Sequence, residues 1–195
     1  SLQNKSQSET MKYMKMSAEF VCGISFLMFF GVLACAQIFV DWYLTQEYSY
    51  AGVVIQMCSP IILAVSGSNL IAIQYMIPLG IQKKYTTSIF IASGINVIFN
   101  LLLTPFIGIY GVCMGSIVAE ISGFALQLFF VKKFLNLKML FSNIYVYFLS
   151  GIVMFIVLYF FASRMRSNFL NLIILVFLGS FIYFLGLFVM FKFIK

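Results

Sequence analysis

One carboxylate, Glu120, falls about midway along an apolar run from Gly108 to Val131. In hydrocarbon an ionised carboxylate is costly and a protonated one tolerable. Such a residue is therefore a natural proton or cation site, or else a hydrogen-bonding partner for a neighbouring helix or a hinge. Upstream, Asn96 and Asn100 are spaced i, i+4, and Ser93 adds a third polar group to the same helix face. Side-chain amides donate and accept together, which suits sugar hydroxyls and serves equally for bonding to the next helix. Gln127 is a further amide in the same part of the chain. These five residues are the candidates for a cavity that meets substrate or ion.

The residues that would support other chemistry are missing or badly spaced. The chain has no histidine, which removes the commonest general base and metal ligand. Cys22, Cys35, Cys58 and Cys113 are scattered singly inside apolar runs, so neither a metal site nor a disulfide framework is expected. No cofactor is expected and catalysis is disfavoured: a membrane-embedded glycosyltransferase or acyltransferase would need catalytic carboxylates, a histidine or a long extramembrane loop. The net charge of +7 does not point to nucleic acid, because the lysines sit in short clusters between apolar runs rather than along one helix face or in a basic arm.

The elements that position these residues follow from composition. Of the 195 residues 63% are hydrophobic and 9% charged, with mean hydropathy +1.08; a soluble domain is about one quarter charged. A water-facing surface cannot be assembled from so few charges, whereas a lipid-facing one needs this makeup. Six apolar stretches are each close to the roughly 20 residues that a bilayer core demands: Phe20 to Val40, Gly52 to Ile77, Thr87 to Pro105, Gly108 to Val131, Ile144 to Ala162 and Phe169 to Phe191. They are continuously apolar rather than alternating, so the fold class is an all-α integral membrane bundle of six transmembrane helices and not a barrel.

Residues 1–16 read as a cytoplasmic loop or amphipathic lead-in, residues 17–133 as four transmembrane helices, and residues 134–195 as two further apolar ones. The joints are short, so consecutive helices are antiparallel. Assigned to alternate sides, all ten lysines fall on one side and Arg164 and Arg166 on the other, which places both ends in the cytoplasm. Lys83, Lys84, Lys132 and Lys133 read as topology lysines there, or as groups that attract a diphosphate or an anionic lipid headgroup. Trp42, Tyr43, Tyr48 and Tyr50 read as anchors at the opposite interface. The opening Ser1-Leu2-Gln3-Asn4-Lys5 shows no signal-peptide pattern, and a fragment of a longer chain is expected.

Helices two to four carry the polar residues, with Ser66, Ser68, Asn69 and Gln74 besides the five candidates, while helices five and six are almost wholly apolar. Gly111 and Gly115 form a G-x-x-x-G that permits close helix approach. Pro78 and Pro105 are expected to end their helices, and Pro60 to kink the second one.

From Ser66 to Lys133 the chain resembles the polysaccharide-transporter branch of the multidrug/oligosaccharidyl-lipid/polysaccharide (MOP) exporter superfamily. The likeness is carried by the turn Pro78-Leu79-Gly80 followed by Lys83-Lys84, by the N-x-x-x-N stretch running from Asn96 through Asn100 to Pro105, and by Gly108 to Gly111 with Ala119-Glu120. It implies the C-terminal half of a MOP/MATE-like transporter, with eight further helices preceding Ser1. It also implies a flippase for undecaprenyl-diphosphate-linked oligosaccharide repeat units of O-antigen, capsule or exopolysaccharide, in the bacterial cytoplasmic membrane. Its partners would be the lipid-linked substrate, the bilayer and the N-terminal half, which would have to supply any cationic clamp on the diphosphate. The alternatives are a multidrug extruder of the same superfamily and a non-transporting membrane scaffold.

Overall fold

A computed structural model describes residues 2–194 of the chain, and the side chains of residues 9–193 apart from Gln46. It contains α1 (Leu2–Tyr43), a 3₁₀ turn (Gln46–Tyr48), α2 (Tyr50–Cys58), α3 (Pro60–Ile71), a π-helical turn (Ala72–Met76), α4 (Gln82–Ile107), α5 (Ile109–Val131), α6 (Leu137–Leu140), α7 (Ile144–Ala162) and α8 (Phe169–Ile194). No strand occurs among the described residues. Six helical stretches are long and apolar enough to cross a membrane: Glu9–Tyr43, Tyr50–Met76, Gln82–Ile107, Ile109–Val131, Leu137–Ala162 and Phe169–Phe193. The protein is an all-α, multi-pass membrane protein.

The first helix is longer than its apolar run. It is continuous from Leu2, whereas the sequence leaves open a loop or an amphipathic lead-in over residues 1–16. At about 1.5 Å per residue its 42 residues span roughly 60 Å, twice a bilayer core. Two features explain the extension. No glycine or proline precedes Gly23, and Met14, Ala18 and Cys22 bury one i, i+4 stripe. The side chain of Lys5 and the whole of Lys195, both counted in the charge asymmetry, lie outside the described residues.

The second span is segmented, and the first break has a clear cause. Pro60 has no N–H to offer the carbonyl of Gln56 four residues back. Ser59 takes over that acceptor, its hydroxyl donating at 2.7 Å and its N–H at 3.2 Å. Further on the ladder widens to i, i+5 bonds, Ile77 N to Ala72 O and Ile81 N to Met76 O, both 2.9 Å. The helix then ends at Pro78 and at Gly80, whose φ is +72°.

Pro105 does not end α4, contrary to the sequence expectation. It lies within the last turn and the helix runs on to Ile107. Proline removes the bond its N–H would give the Leu101 carbonyl, and only Phe106 and Ile107 of the helix remain beyond it. The stop is set by Gly108, at φ 56° and ψ −131°, a conformation open in practice to glycine alone. This tight turn folds α5 back along α4. A Cβ on Gly111 would stand 2.7 Å from the backbone of Leu103 and Thr104, so the G-x-x-x-G faces α4 and lets the two backbones approach.

Two units gather these elements: Ser1–Ile24 with Leu63–Ile144, and Ser25–Ile62 with Tyr145–Lys195. The first is held by a cluster of Met14, Ala18, Leu70, Ile71, Tyr75, Met76, Val131, Leu135 and Leu140. The second packs Phe26 and Phe30 of α1 with α7, where a Cβ on Gly151 would collide with the Phe30 ring. On α8, Leu175 and Tyr183 are fully buried, while Phe177, Phe181 and Phe188 are about 70% exposed, as a helix with lipid over much of its circumference requires.

The α4–α5 seam yields a first prediction. Gly111→Val drives a branched side chain into the α4 backbone and costs about 1–3 kcal/mol. In a thermal ramp with a thiol-reactive dye, Cys113, which is 4% exposed on α5, reacts at a lower temperature in the variant. An unchanged transition would mean that the seam is not tightly packed.

Candidate functional site

The first unit contains a cavity of about 300 Å³ lined by α3, α4 and α5. Its polar side chains are Ser68, Ser93, Asn96, Glu120 and Gln127, and its walls are completed by Ile89, Val97, Phe124 and small residues. Four of the five sequence candidates therefore meet at one place. The fifth, Asn100, stays in the seam: a Cβ on Gly115 would stand 2.5 Å from its Oδ1. Asn100 Nδ2 donates to Asn96 Oδ1 at 2.8 Å, and Asn96 Nδ2 donates across to Ser116 Oγ on α5 at 3.3 Å. One polar stripe thus divides, with Asn100 serving helix packing and Asn96 sharing packing with the cavity wall.

Gln127 closes the floor. It is 1% exposed, and its Nε2 donates to Ser68 Oγ at 2.8 Å, tying α5 to α3. Its Oε1 is buried without a partner, which leaves an acceptor that a ligand or a water can satisfy. Ser68 is the lining residue that the sequence did not single out. On α3 it is one polar residue among several in Ser66-Gly67-Ser68-Asn69, and only the bond to Gln127, 59 positions away, distinguishes it.

Glu120 is exposed on α5 and makes neither a hydrogen bond nor an ion pair among the described residues. It is not the sole carboxylate within a helix, because α1 takes in Glu9, Glu19 and Asp41 as well. Glu19 has partners: Asn143 Nδ2 donates to it at 2.9 Å and Lys15 Nζ stands 3.9 Å away. The carboxylate with unused bonding capacity next to a cavity is Glu120. No Lys or Arg lines the cavity, so the chemistry on offer is acceptor-rich: one carboxylate, one orphan amide oxygen and two serine hydroxyls.

The lysine candidates sit elsewhere. Lys83 and Lys84 begin α4 and Lys132 and Lys133 follow α5, so the antiparallel pair brings all four to one end. A separate cavity in the second unit, of about 430 Å³, is lined by Leu27, Phe39, Met154, Leu158 and other apolar residues. Its Ser180 hydroxyl is already bonded to Val176 O, so it has little means of orienting a polar ligand. Among the described residues no group of three or more His, Cys, Asp or Glu side chains could hold a metal ion. In comparison with known proteins the chain matches no family model, no curated sequence and no solved structure.

Two measurements probe this geometry. In a variant lacking the four native cysteines and reconstituted in membranes, Ser93→Cys reacts with a charged, membrane-impermeant thiol reagent, and Ser88→Cys, at a fully buried position, does not. Equal protection of both would mean that the cavity holds no water. A double-mutant cycle on Ser68→Ala and Gln127→Ala shows a coupling of about 0.6 kcal/mol, the average for hydrogen bonds between membrane helices. Strict additivity would deny the bond between α3 and α5.

Proposed function

We propose that the chain forms part of a membrane transporter that flips a lipid-linked oligosaccharide across the bilayer, with the α3–α4–α5 cavity in contact with the glycan. The observation that carries this reading is a polar cavity without a cation on helices that otherwise face hydrocarbon. Polar groups at membrane depth are costly unless they meet protein, water or cargo. Here Ser68 and Gln127 bond each other and Asn96 bonds its neighbours, while the Glu120 carboxylate and Ser93 are left facing the space between the helices. Hydroxyl-rich cargo matches such a surface, since each sugar hydroxyl both donates and accepts.

In this mechanism the cavity is exposed alternately to the two sides, the lipid tail stays in the bilayer, and the headgroup and glycan cross through the protein. Asn96 and Gln127 recognise hydroxyls, and Glu120 accepts a hydroxyl hydrogen bond or carries the coupling proton or cation. The cavity has no positive group for the diphosphate, which must be met by helices contributed from another part of the full protein. The bacterial cytoplasmic membrane, with both ends of this chain on the cytoplasmic side, is the location this reading requires. The resemblance of Ser66 to Lys133 to the polysaccharide-transporter branch supports the cargo class.

A second reading, a multidrug extruder, is favoured by one observation, the unpaired Glu120 carboxylate, which would attract a cationic drug. Complementation separates the two. The full-length gene that includes this chain, expressed in a flippase-deficient bacterium, restores surface polysaccharide. Glu120→Gln and Asn96→Ala, at matched expression, lower the polymer toward the empty-vector level, and Ser163→Ala does not. Resistance to cationic drugs without polymer would favour the extruder. Full polymer from both cavity variants would return those residues to packing.

A further inference from the structure

The lysine-bearing end of the first unit has chemistry that neither the cavity nor the cargo uses. Lys83 and Lys84 at the start of α4 and Lys132 and Lys133 just beyond α5 converge there, and all four are exposed. The one ion pair among the described residues is Lys15 with Glu19, so none of the four has a carboxylate to neutralise it. Two of them lie over aromatic rings instead: Lys132 Nζ is 4.1 Å from the centroid of Phe129, and Lys84 Nζ is 5.9 Å from that of Phe130. Past α5 the chain bends around an open pocket of about 440 Å³ lined by residues 132–137. Leu135 and Val131 are buried in the core cluster beneath it, which fixes the base of the pocket.

We propose that this end is a binding surface for an anionic phospholipid, with the headgroup phosphate held between Lys132–Lys133 and Lys83–Lys84 and the acyl chains lying along Phe129 and Phe134. Each part of the surface matches one part of that molecule. Unpaired ammonium groups at helix ends of a membrane protein attract a phosphate diester and repel a cation. Phe129 and Phe134, each 58% exposed beside the ammonium groups, offer apolar surface that inorganic phosphate leaves uncovered and an acyl chain covers. Zwitterionic lipids present the same chains with no net charge, so the discrimination rests on the headgroup. The proposal is independent of what the cavity carries.

The test uses the full chain in detergent micelles, titrated with phosphatidylglycerol or phosphatidylcholine of identical acyl chains and read by native mass spectrometry. Phosphatidylglycerol is retained in preference, and retention weakens as salt is raised. Lys132→Gln with Lys133→Gln, and separately Lys83→Gln with Lys84→Gln, each weaken phosphatidylglycerol binding roughly ten-fold or more, since each lysine is worth about five-fold. Lys→Arg changes at the same positions keep the charge and the binding, which separates charge from folding. Lys192→Gln, on α8, leaves binding as it was. Equal retention of both lipids, an equal loss in Lys192→Gln, or displacement by inorganic phosphate at the same concentration as the lipid would each overturn the proposal.

Discussion

Within hydrocarbon no water is present to take up an open backbone amide or carbonyl, so each must be satisfied inside its own helix or by a side chain at the point of failure. The Pro60 site shows the rule at work. The carbonyl of Gln56, which a proline four residues on cannot reach, is taken by both the N–H and the hydroxyl of Ser59. The π-turn at Ala72–Met76 is a second accommodation, in which the bonds lengthen to i, i+5 and the helix continues to Pro78 without leaving donors open. The second span is therefore a chain of short segments, and α3, the segment that carries Ser68, lies between its two irregularities.

The same constraint governs the side chains. Polar groups on α3, α4 and α5 cannot face lipid cheaply, so they turn toward one another, and small residues decide how closely. Gly111 and Gly115 bring α5 against α4 so tightly that Asn100 is absorbed into the seam. Beyond them the helices leave a space of about 300 Å³, and Ser93, Glu120 and Gln127 meet there. Packing and cavity thus grow from one stripe of residues, divided by where glycine permits contact. Charge is partitioned as well: the cavity has a carboxylate and no cation, whereas Lys83, Lys84, Lys132 and Lys133 gather at one end of α4 and α5, where Lys84 and Lys132 set their ammonium groups over phenylalanine rings.

Much of the architecture is legible in the residues. Six spans follow from apolar runs of bilayer length, because hydrophobicity and the demand for internal backbone bonding leave no other fold. Glu120, Asn96 and Ser93 stand out for the same reason, as polar groups are costly at that depth. Where the residues leave alternatives or mislead, the causes are local. The lead-in to α1 is polar enough to read as a loop or as an amphipathic helix, and it is helical because it lacks a helix breaker and buries Met14 and Ala18. Pro105 looks like a stop, yet α4 runs two residues past it and Gly108 ends the helix instead.

The sequence by itself determined the solvent, the helices and the list of polar residues that hydrocarbon would not tolerate alone. Those properties depend on composition and on neighbours within about one helical turn. Tertiary structure alone decided which of those residues share a cavity. Ser68 and Gln127 are 59 positions apart, and their bond exists because α3 lies beside α5. Asn96 and Asn100 occupy the same face and differ only in what α5 sets against them, for which a single-helix pattern holds no information. Whether a polar residue packs or lines a cavity depends on the distance between helices, and that distance is set jointly by the side chains of both.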